Sequence, residues 1–307
     1  MRNRSAKVFC FYFIFLLGGC DIAPHQSSFS DCRHVSAGYT HSCCVHSTGK
    51  ITCWGSNTYG ESSPPRFTDY VQVQADEYYT CALRETGEIL CFGDNILRIN
   101  GEEQFTLHNL DAPTQGGFVQ IDINAFNGCA LHETSTISCW GDTNSGTPVS
   151  SPEGNNFTQV SVGGNQSCAL HGDSTVQCWP DQIDRDDVPP SSHFYSQISM
   201  GSTHGCALTS DAFTICWGND FDGQGDSPGH WLGHPVTQVA AGGFHSCELY
   251  AEGLVECWGN NDWEQCDVPG VDDFVQISAG SFHTCGIRKS GRVLCWGEND
   301  KGQSSPP

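Results

Sequence analysis

One stretch near the end of the chain decides the fold: residues 274–302 have the sequence F-V-Q-I-S-A-G-S-F-H-T-C-G-I-R-K-S-G-R-V-L-C-W-G-E-N-D-K-G. Cys285 and Cys295 lie ten positions apart, and a Trp-Gly pair follows the second cysteine. Six further cysteine pairs upstream keep the same ten-residue gap, and the first cysteines of successive pairs are 38 to 48 residues apart. Seven copies of a unit of about 40 residues indicate one repeat domain.

Each repeat shows the same order of features. An alternating run such as Val275-Gln276-Ile277 predicts a strand with one buried face. A small-residue turn, a strand with the first cysteine, a tight turn and a strand with the second cysteine follow. Three or four strands in about 40 residues are typical of a propeller blade. The sequence therefore predicts an all-β, seven-bladed β-propeller over residues 32–307, and leaves open whether strands from both termini share one blade.

The tight turn between the two cysteine strands has glycine in four repeats, and glycine permits positive φ. Ser135, Ser174 and Ala212 stand at that position in the other three repeats. We expect looser turns, or turns of another type, in those repeats.

The fixed cysteine spacing predicts one disulfide per blade. Pairing about the tight turn places the two cysteines opposite each other, with Cβ atoms about 4.5–5.5 Å apart, which a disulfide spans after a small adjustment. None of the 19 cysteines forms the C-x-x-C pair that zinc sites use, and disulfides imply an oxidising compartment. The predicted bridges are Cys43–Cys53, Cys81–Cys91, Cys129–Cys139, Cys168–Cys178, Cys206–Cys216, Cys247–Cys257 and Cys285–Cys295.

Three cysteines of the predicted propeller fall outside this pattern: Cys32, Cys44 and Cys266. Cys32 precedes the first repeat and could bridge to Cys44 or to Cys266. Either bridge would pin the start of the domain to the ring and would leave one thiol over.

The N-terminus predicts export. Residues 1–19 combine three basic residues with an apolar run at 8–17 that is too short to span a bilayer, for which about 20 residues are needed. The sequence Leu17-Gly18-Gly19-Cys20 resembles the lipobox of bacterial lipoproteins. That resemblance implies a lipid on Cys20, a tether over residues 20–31, and a membrane-anchored, extracytoplasmic protein of a bacterial envelope, in the periplasm or on the cell surface.

The charge is strongly acidic. Residues 1–19 hold three of the 13 basic and none of the 35 acidic residues, so the remainder has a formal charge of −25. Such a field repels nucleic acid and favours basic partners, or serves solubility alone. We expect no nucleic-acid partner.

Residues 35–60 have the sequence V-S-A-G-Y-T-H-S-C-C-V-H-S-T-G-K-I-T-C-W-G-S-N-T-Y-G. This resembles the repeat of the regulator of chromosome condensation family, as do residues 239–261 and 277–303, with the cysteine pairs as an addition. The resemblance implies the same seven-bladed fold. The departures are Phe92 for the tryptophan, Pro180 for the glycine, and Tyr79, Asn127 and Gln166 in the histidine position.

Two patterns could hold a metal. His41, His204, His245 and His283 recur in the histidine position of the repeat, where a structural hydrogen bond is the simpler interpretation. Residues 220–226 have oxygen ligands at alternate positions, as calcium loops do, but coincide with a turn of the repeat. No G-x-S-x-G, H-E-x-x-H or phosphate-binding loop occurs. We expect no metal, no cofactor and no enzymatic activity.

Propellers act through their loops, because the blades form a rigid frame. Aromatic residues in the loops, among acidic neighbours, are candidate partner-binding residues: Tyr59, Phe105, Phe221, Trp231 and Trp263. The sequence predicts a monomeric, non-enzymatic, membrane-anchored scaffold that binds an unknown protein partner. One alternative is an inhibitor of a secreted enzyme, by resemblance to the propeller-type β-lactamase-inhibitor protein. Another is guanine-nucleotide exchange, which only the family resemblance implies.

Overall fold

A computed structural model describes residues 30–307 except 95, 100–101, 107–110, 144–146, 165, 180–187 and 229–233. The predicted export signal, Cys20 and most of the tether therefore lie outside the described residues. Seven three-stranded antiparallel sheets, each built from one repeat, form the blades, which confirms the predicted all-β propeller. Among the described residues, no helix is long and apolar enough to span a bilayer.

The blades are numbered in chain order. Their strands are Cys32–Ala37 (β1), His41–His46 (β2) and Ile51–Gly55 (β3) in blade 1, Tyr70–Ala75 (β4), Tyr79–Arg84 (β5) and Ile89–Gly93 (β6) in blade 2, Phe118–Ile123 (β9), Asn127–His132 (β10) and Ile137–Gly141 (β11) in blade 3, Phe157–Val162 (β12), Ser167–His171 (β13) and Val176–Trp179 (β14) in blade 4, Tyr195–Met200 (β15), His204–Thr209 (β16) and Thr214–Gly218 (β17) in blade 5, Val236–Ala241 (β18), His245–Tyr250 (β19) and Val255–Gly259 (β20) in blade 6, and Phe274–Ala279 (β21), His283–Arg288 (β22) and Val293–Gly297 (β23) in blade 7. A hairpin of Ile96–Ile99 (β7) and Glu102–Thr106 (β8) lies between blades 2 and 3.

The predicted disulfide of every blade is present. Cys43 lies directly opposite Cys53 across β2 and β3, and the other six pairs keep the same register. The Cα atoms of the seven pairs are 4.0–4.1 Å apart. This is the close spacing of a non-hydrogen-bonded antiparallel pair. Disulfides form and persist in oxidising compartments, so the eight in the described residues point to an extracytoplasmic location.

The eighth disulfide joins Cys32 in β1 to Cys44 in β2, with Cα atoms 6.0 Å apart. The sequence leaves open whether Cys32 pairs with Cys44 or with Cys266, and the structure shows the pair with Cys44. Cys266 remains a half-buried thiol, and burial together with the charge of Asp267 raises its pKa to about 12. Because the thiolate is the reactive form, this thiol is poorly suited to exchange.

The expectation of looser turns at Ser135, Ser174 and Ala212 is wrong. These residues adopt φ of 61°, 70° and 65°, close to the 73° of Gly49. Their backbone N–H groups bond the carbonyl three residues back, as that of Gly49 does. The register of the second and third strands imposes the same turn in every blade, so non-glycine residues are held in the left-handed region.

The core is divided among the interfaces between blades. Seven apolar clusters each join two neighbouring blades. One of them joins blade 7 to blade 1 and includes Trp54, Val35 and Ile287. The ring therefore closes through packing of the first blade against the last, and each blade takes all three strands from one repeat. In blade 2, Phe92 packs where the other repeats have tryptophan.

A glutamine in the innermost strand clamps six of the seven blades to the next one. Gln238 donates its side-chain Nε2–H to the carbonyl of Ile277 (2.8 Å) and accepts the N–H of Ile277 through Oε1 (2.9 Å). Gln72, Gln120, Gln159 and Gln197 make the same pair of bonds, and Gln276 accepts the N–H of Val35 at the closure. Blade 1 instead has His34 at the equivalent register position. These inner strands surround a central channel of about 550 Å³.

Candidate functional site

The antiparallel blades give the propeller two distinct faces. The loop face consists of the residues that join the first strand of each blade to the second, and of the turn that follows the third strand. The turn face consists of the tight turns between the second and third strands. Most of the candidate binding residues that the structure describes belong to the loop face.

Each repeat histidine organises the loop face through a relay between blades. His41 Nε2 lies 2.7 Å from the Thr80 hydroxyl of the next blade, and that hydroxyl donates to the carbonyl of Glu61 (2.8 Å). A hydroxyl has one hydrogen to donate, so Thr80 must accept from His41, whose proton therefore lies on Nε2. The same relay joins His204, Ser246 and Gln224, then His245, Thr284 and Gln265, and finally His283, Ser42 and Gln303.

The histidines are neutral structural groups. Burial lowers the pKa to about 4 for His41 and His204 and to about 3 for His245 and His283. Their Nδ1 atoms are buried without a hydrogen-bond partner. A Cβ on Gly242 would lie 3.0 Å from Nδ1 of His245. Glycine before the histidine therefore leaves room for the ring. Within the described part of the chain, no group of histidine, cysteine and acidic residues is placed to hold a metal ion.

Other residues in the histidine position form different bonds. The Tyr79 hydroxyl shares its one hydrogen between the carbonyls of Asn124 and Asn127, at 2.6 and 3.0 Å. The Asn127 side chain donates to the carbonyl of Asp142. The relay is thus complete only in blades 1, 5, 6 and 7.

The acidic loop at 220–226 has the contacts of a turn. Asp220 Oδ1 accepts the backbone N–H of Gly225 at 2.7 Å. Asn57, Asn261 and Asn299 accept the N–H five residues on in the same way, from Ser62, Cys266 and Ser304. Asp220 therefore occupies a turn-closing position that asparagine fills elsewhere, which accounts for its carboxylate without calcium.

Three of the five predicted partner-binding residues are exposed on the loop face: Tyr59 (38% exposed), Phe221 (91%) and Trp263 (45%). All three lie in the turn that follows the third strand of a blade. Phe105 lies in β8, away from these turns in sequence, and Trp231 lies outside the described residues.

The structure adds aromatic residues that the sequence analysis missed. The Tyr59 ring meets the edge of Tyr78 with centroids 5.4 Å apart. Tyr39 meets the edge of Phe282 at 5.5 Å, and Phe282 stacks on Phe244 at 5.3 Å. We call these five residues the aromatic arc; they span blades 6, 7, 1 and 2. Phe244, Phe282 and Tyr78 directly precede the histidine position, so their recurrence was visible in the repeat.

Carboxylates accompany the arc. Glu77 accepts a hydrogen bond from the Tyr78 hydroxyl. Burial, followed by the charges of Glu77 and Glu298, raises the pKa of Tyr39. Burial raises the pKa of Glu77 itself, and burial followed by the charge of Asp300 raises that of Glu298. Partly desolvated carboxylates beside aromatic rings favour a cationic partner group.

Acidic groups also line the channel. Burial raises the pKa of Asp122 to about 6, although its Oδ2 accepts from the Ser161 hydroxyl (2.9 Å) and the Val162 N–H (2.8 Å). Burial and the neighbouring charges of Glu77 and Asp122 also raise the pKa of Asp76. Asp122 joins blades 2 to 4 from within, because its Oδ1 also accepts a hydrogen bond from Gln74 Nε2 in blade 2 (2.8 Å).

Known proteins place the chain among repeat propellers. The profile of the regulator of chromosome condensation (RCC1) repeat matches residues 32–61, 236–262 and 274–303, which are blades 1, 6 and 7. The chain therefore carries these repeats in three places, as the resemblance predicted. A search of curated proteins finds no match.

Solved structures support the same fold. The ectodomain of the receptor kinase CR4 from Physcomitrella patens is 22% identical with a TM-score of 0.68, over 88% of this chain and 74% of that one. The CRINKLY WD40 ectodomain of the Arabidopsis thaliana receptor kinase ACR4 is 21% identical with a TM-score of 0.66, over 92% and 99%. Prp20p from Saccharomyces cerevisiae, described with its binding to Gsp1p and histones, is 17% identical with a TM-score of 0.50, over 87% and 72%. At these identities the likeness establishes the fold alone.

Proposed function

We propose that the chain is a non-enzymatic binding protein, anchored through a lipid on Cys20 outside the cytoplasm, whose loop face binds a protein partner. The observation that carries this proposal is the aromatic arc with its carboxylates. Tyrosine, tryptophan and phenylalanine side chains anchor protein interfaces because they bury a large area at a low entropic cost. Each arc residue already packs against another, in the pair Tyr59–Tyr78 or in the group Tyr39, Phe282 and Phe244, so the loops need little ordering on binding.

The negative charge of the chain favours a partner with a basic surface. With −25 outside the export signal, a basic protein surface is attracted over a Debye length of about 8 Å at physiological salt. The rigid blades, each with its own disulfide, present the arc without rearrangement. Prp20p binds protein partners, and this makes a protein ligand reasonable for a propeller of this shape.

The test is quantitative cross-linking of the full chain in the envelope of its source cell. We expect one partner at a fixed stoichiometry, lost in a Tyr39→Ala/Tyr59→Ala variant. The matched control is Phe194→Ala/Phe213→Ala, which removes two aromatic residues that are 64% and 47% exposed on the turn face of blade 5. Loss of the partner in the control alone, or capture that does not saturate, would contradict the proposal. Inhibition of a captured secreted enzyme would identify the inhibitor alternative.

A further inference from the structure

We propose that the turn face of blades 7 and 1 rests on an anionic lipid surface, so that the aromatic arc points away from the membrane. The proposal rests on the lipid anchor of the proposed function and adds an orientation to it. It uses the tight turns 47–50 and 289–292, which we call the root rim, because the N-terminal end of the domain lies between them.

The start of the domain is fixed in the root rim. The N–H of Cys32 donates to the carbonyl of Gly291 in the turn of blade 7 (3.0 Å). The N–H of Ser47 in the turn of blade 1 donates to the carbonyl of Asp31 (2.8 Å). The Cys32–Cys44 disulfide then holds this segment to β2. The tether therefore joins the domain at the turn face.

The tether is shorter than the molecule is wide. Ten residues join Cys20 to Ser30, and even fully extended they reach at most about 35 Å. A domain of about 280 residues has a radius of gyration of about 19 Å and hence a diameter of about 50 Å. A lipid on Cys20 therefore keeps the root rim near the bilayer and makes the turn face, where the tether joins the domain, the face nearest to the lipid.

Basic residues concentrate beside the root rim. Lys50 and Lys289 are exposed there and make no ion pair with any described residue. The nearby acidic groups are largely occupied, because Asp273 pairs with Arg288 (2.6 Å) and Asp31 with His46 (2.7 Å). The same side of the ring also carries Arg33, Arg66 and Arg292, whereas the charge of Arg84 is paired with Asp69 and Glu88.

The tight turns of blades 3 to 6 lack this feature. The tight turns of blades 3 to 6 carry one acidic residue each and no basic one: Glu133, Asp173, Asp211 and Glu252. On the loop face, Lys301 is the one lysine. A chain of strong negative charge thus holds seven of the ten basic residues that follow the export signal on the side where the tether emerges. This is the arrangement that anionic head groups attract.

Three lysines provide the readout, since Lys50, Lys289 and Lys301 are all the lysines that follow the export signal. The full chain, purified from membranes, is labelled with a membrane-impermeant amine-reactive ester in detergent. It is also labelled in vesicles of phosphatidylcholine with and without phosphatidylglycerol. Peptide mass spectrometry gives each labelling rate relative to Lys301.

In anionic vesicles we expect Lys50 and Lys289 to react about threefold more slowly, relative to Lys301, than in detergent. The protection should be smaller in phosphatidylcholine alone. Lys289→Glu should weaken the protection of Lys50. Ser210→Glu, which adds a charge to the turn of blade 5, should not.

Equal relative rates in vesicles and detergent, or protection of Lys301 instead, would overturn the orientation. The mass of the N-terminal peptide distinguishes a failure of the lipid anchor from a failure of the orientation. A Cys20 without lipid overturns the anchor and the orientation together. A lipidated Cys20 with unchanged lysine rates overturns the orientation alone, because partner capture in detergent tests the loop face independently.

Discussion

Ala212 shows how the blade overrules the preference of a single residue. It occupies the tight turn of blade 5 with φ of 65°, where four other blades have glycine. The strand register of the disulfide-linked hairpin leaves the turn no other conformation. A left-handed alanine costs about 1 kcal/mol, which the rest of the blade offsets.

Ala212→Gly should therefore stabilise the protein by about 0.5–1 kcal/mol, because the strain is removed without loss of a buried contact. Urea unfolding with the disulfides intact measures the change. Ala251→Gly, at an exposed turn position without positive φ, is the control and should lower the stability slightly through chain entropy. An Ala212→Gly variant no more stable than the parent would show that the turn carries no strain.

The buried histidines make stability depend on pH. In the unfolded chain a histidine has a pKa of about 6.5, whereas in the fold those of the four relay histidines are about 3 or about 4. The unfolded state therefore binds more protons below pH 6.5. Stability is full above that value and is lost as the pH falls, by about 2 kcal/mol per histidine between pH 7.5 and 5. Asp122, with its raised pKa of about 6, acts in the opposite direction.

His245→Gln isolates one of these contributions. Glutamine stands in the histidine position of blade 4 as Gln166, so the fold accepts it. The variant should lose less stability than the parent between pH 7.5 and 5, by about 2 kcal/mol. The exposed His193→Gln is the control and should keep the parental dependence. Identical pH dependence in the parent and in His245→Gln would mean that the ring is not held neutral.

At the scale of the element, strands, turns and disulfides could be predicted because their causes are local. Alternating apolar and polar residues predict a strand, and two cysteines ten residues apart on either side of a tight turn predict a hairpin. Cys81 must then lie opposite Cys91. The function of Gln120 could not be predicted, although the V-Q-I pattern was visible. Its partner, Val160, lies 40 residues away in another blade, and no local pattern reports that contact. The contacts of the aromatic arc were missed for the same reason, since Tyr39 in blade 1 meets Phe282 in blade 7 only because the propeller closes.

The glutamine clamps can be tested where one is missing. His34→Gln should supply the seam between blades 1 and 2 with the two bonds that Gln72 makes at the next seam, and stabilise the protein by about 1 kcal/mol. It would also remove a buried ring nitrogen, Nδ1, that has no partner. Gln238→Leu should cost about 1–3 kcal/mol, because it leaves the N–H and carbonyl of Ile277 unpaired. If His34→Gln were less stable than His34→Leu, the clamp would not extend to that seam.

At the scale of the whole molecule, the stability of the propeller depends on the contact between the last blade and the first. In an open stack of repeats, an end repeat contacts one neighbour only. In a closed ring every blade contacts two neighbours, so a weakened contact between blades 7 and 1 opens the ring. Blades 7 and 1 are held by an apolar cluster and by Gln276, and the segment after β23 crosses onto blade 1. There the carbonyl of Gln303 accepts from Trp54 Nε1 (2.8 Å) and from the Ser42 hydroxyl (3.1 Å).

Deletion of residues 299–307 should therefore destabilise the fold by about 2–4 kcal/mol, since it leaves two buried donors unpaired and uncovers an apolar interface. The fluorescence of Trp54, compared with a Trp54→Phe background, should shift to the red in the deleted protein, because the indole gains contact with water. Removal of the exposed Pro307 alone is the control and should change neither property. Within the ring, the carbonyl of Gln224 accepts both corresponding bonds, and that of Gln265 accepts the one from the Thr284 hydroxyl. A deletion without effect would mean that packing of the blades closes the ring by itself and that the crossing segment serves the loop face instead.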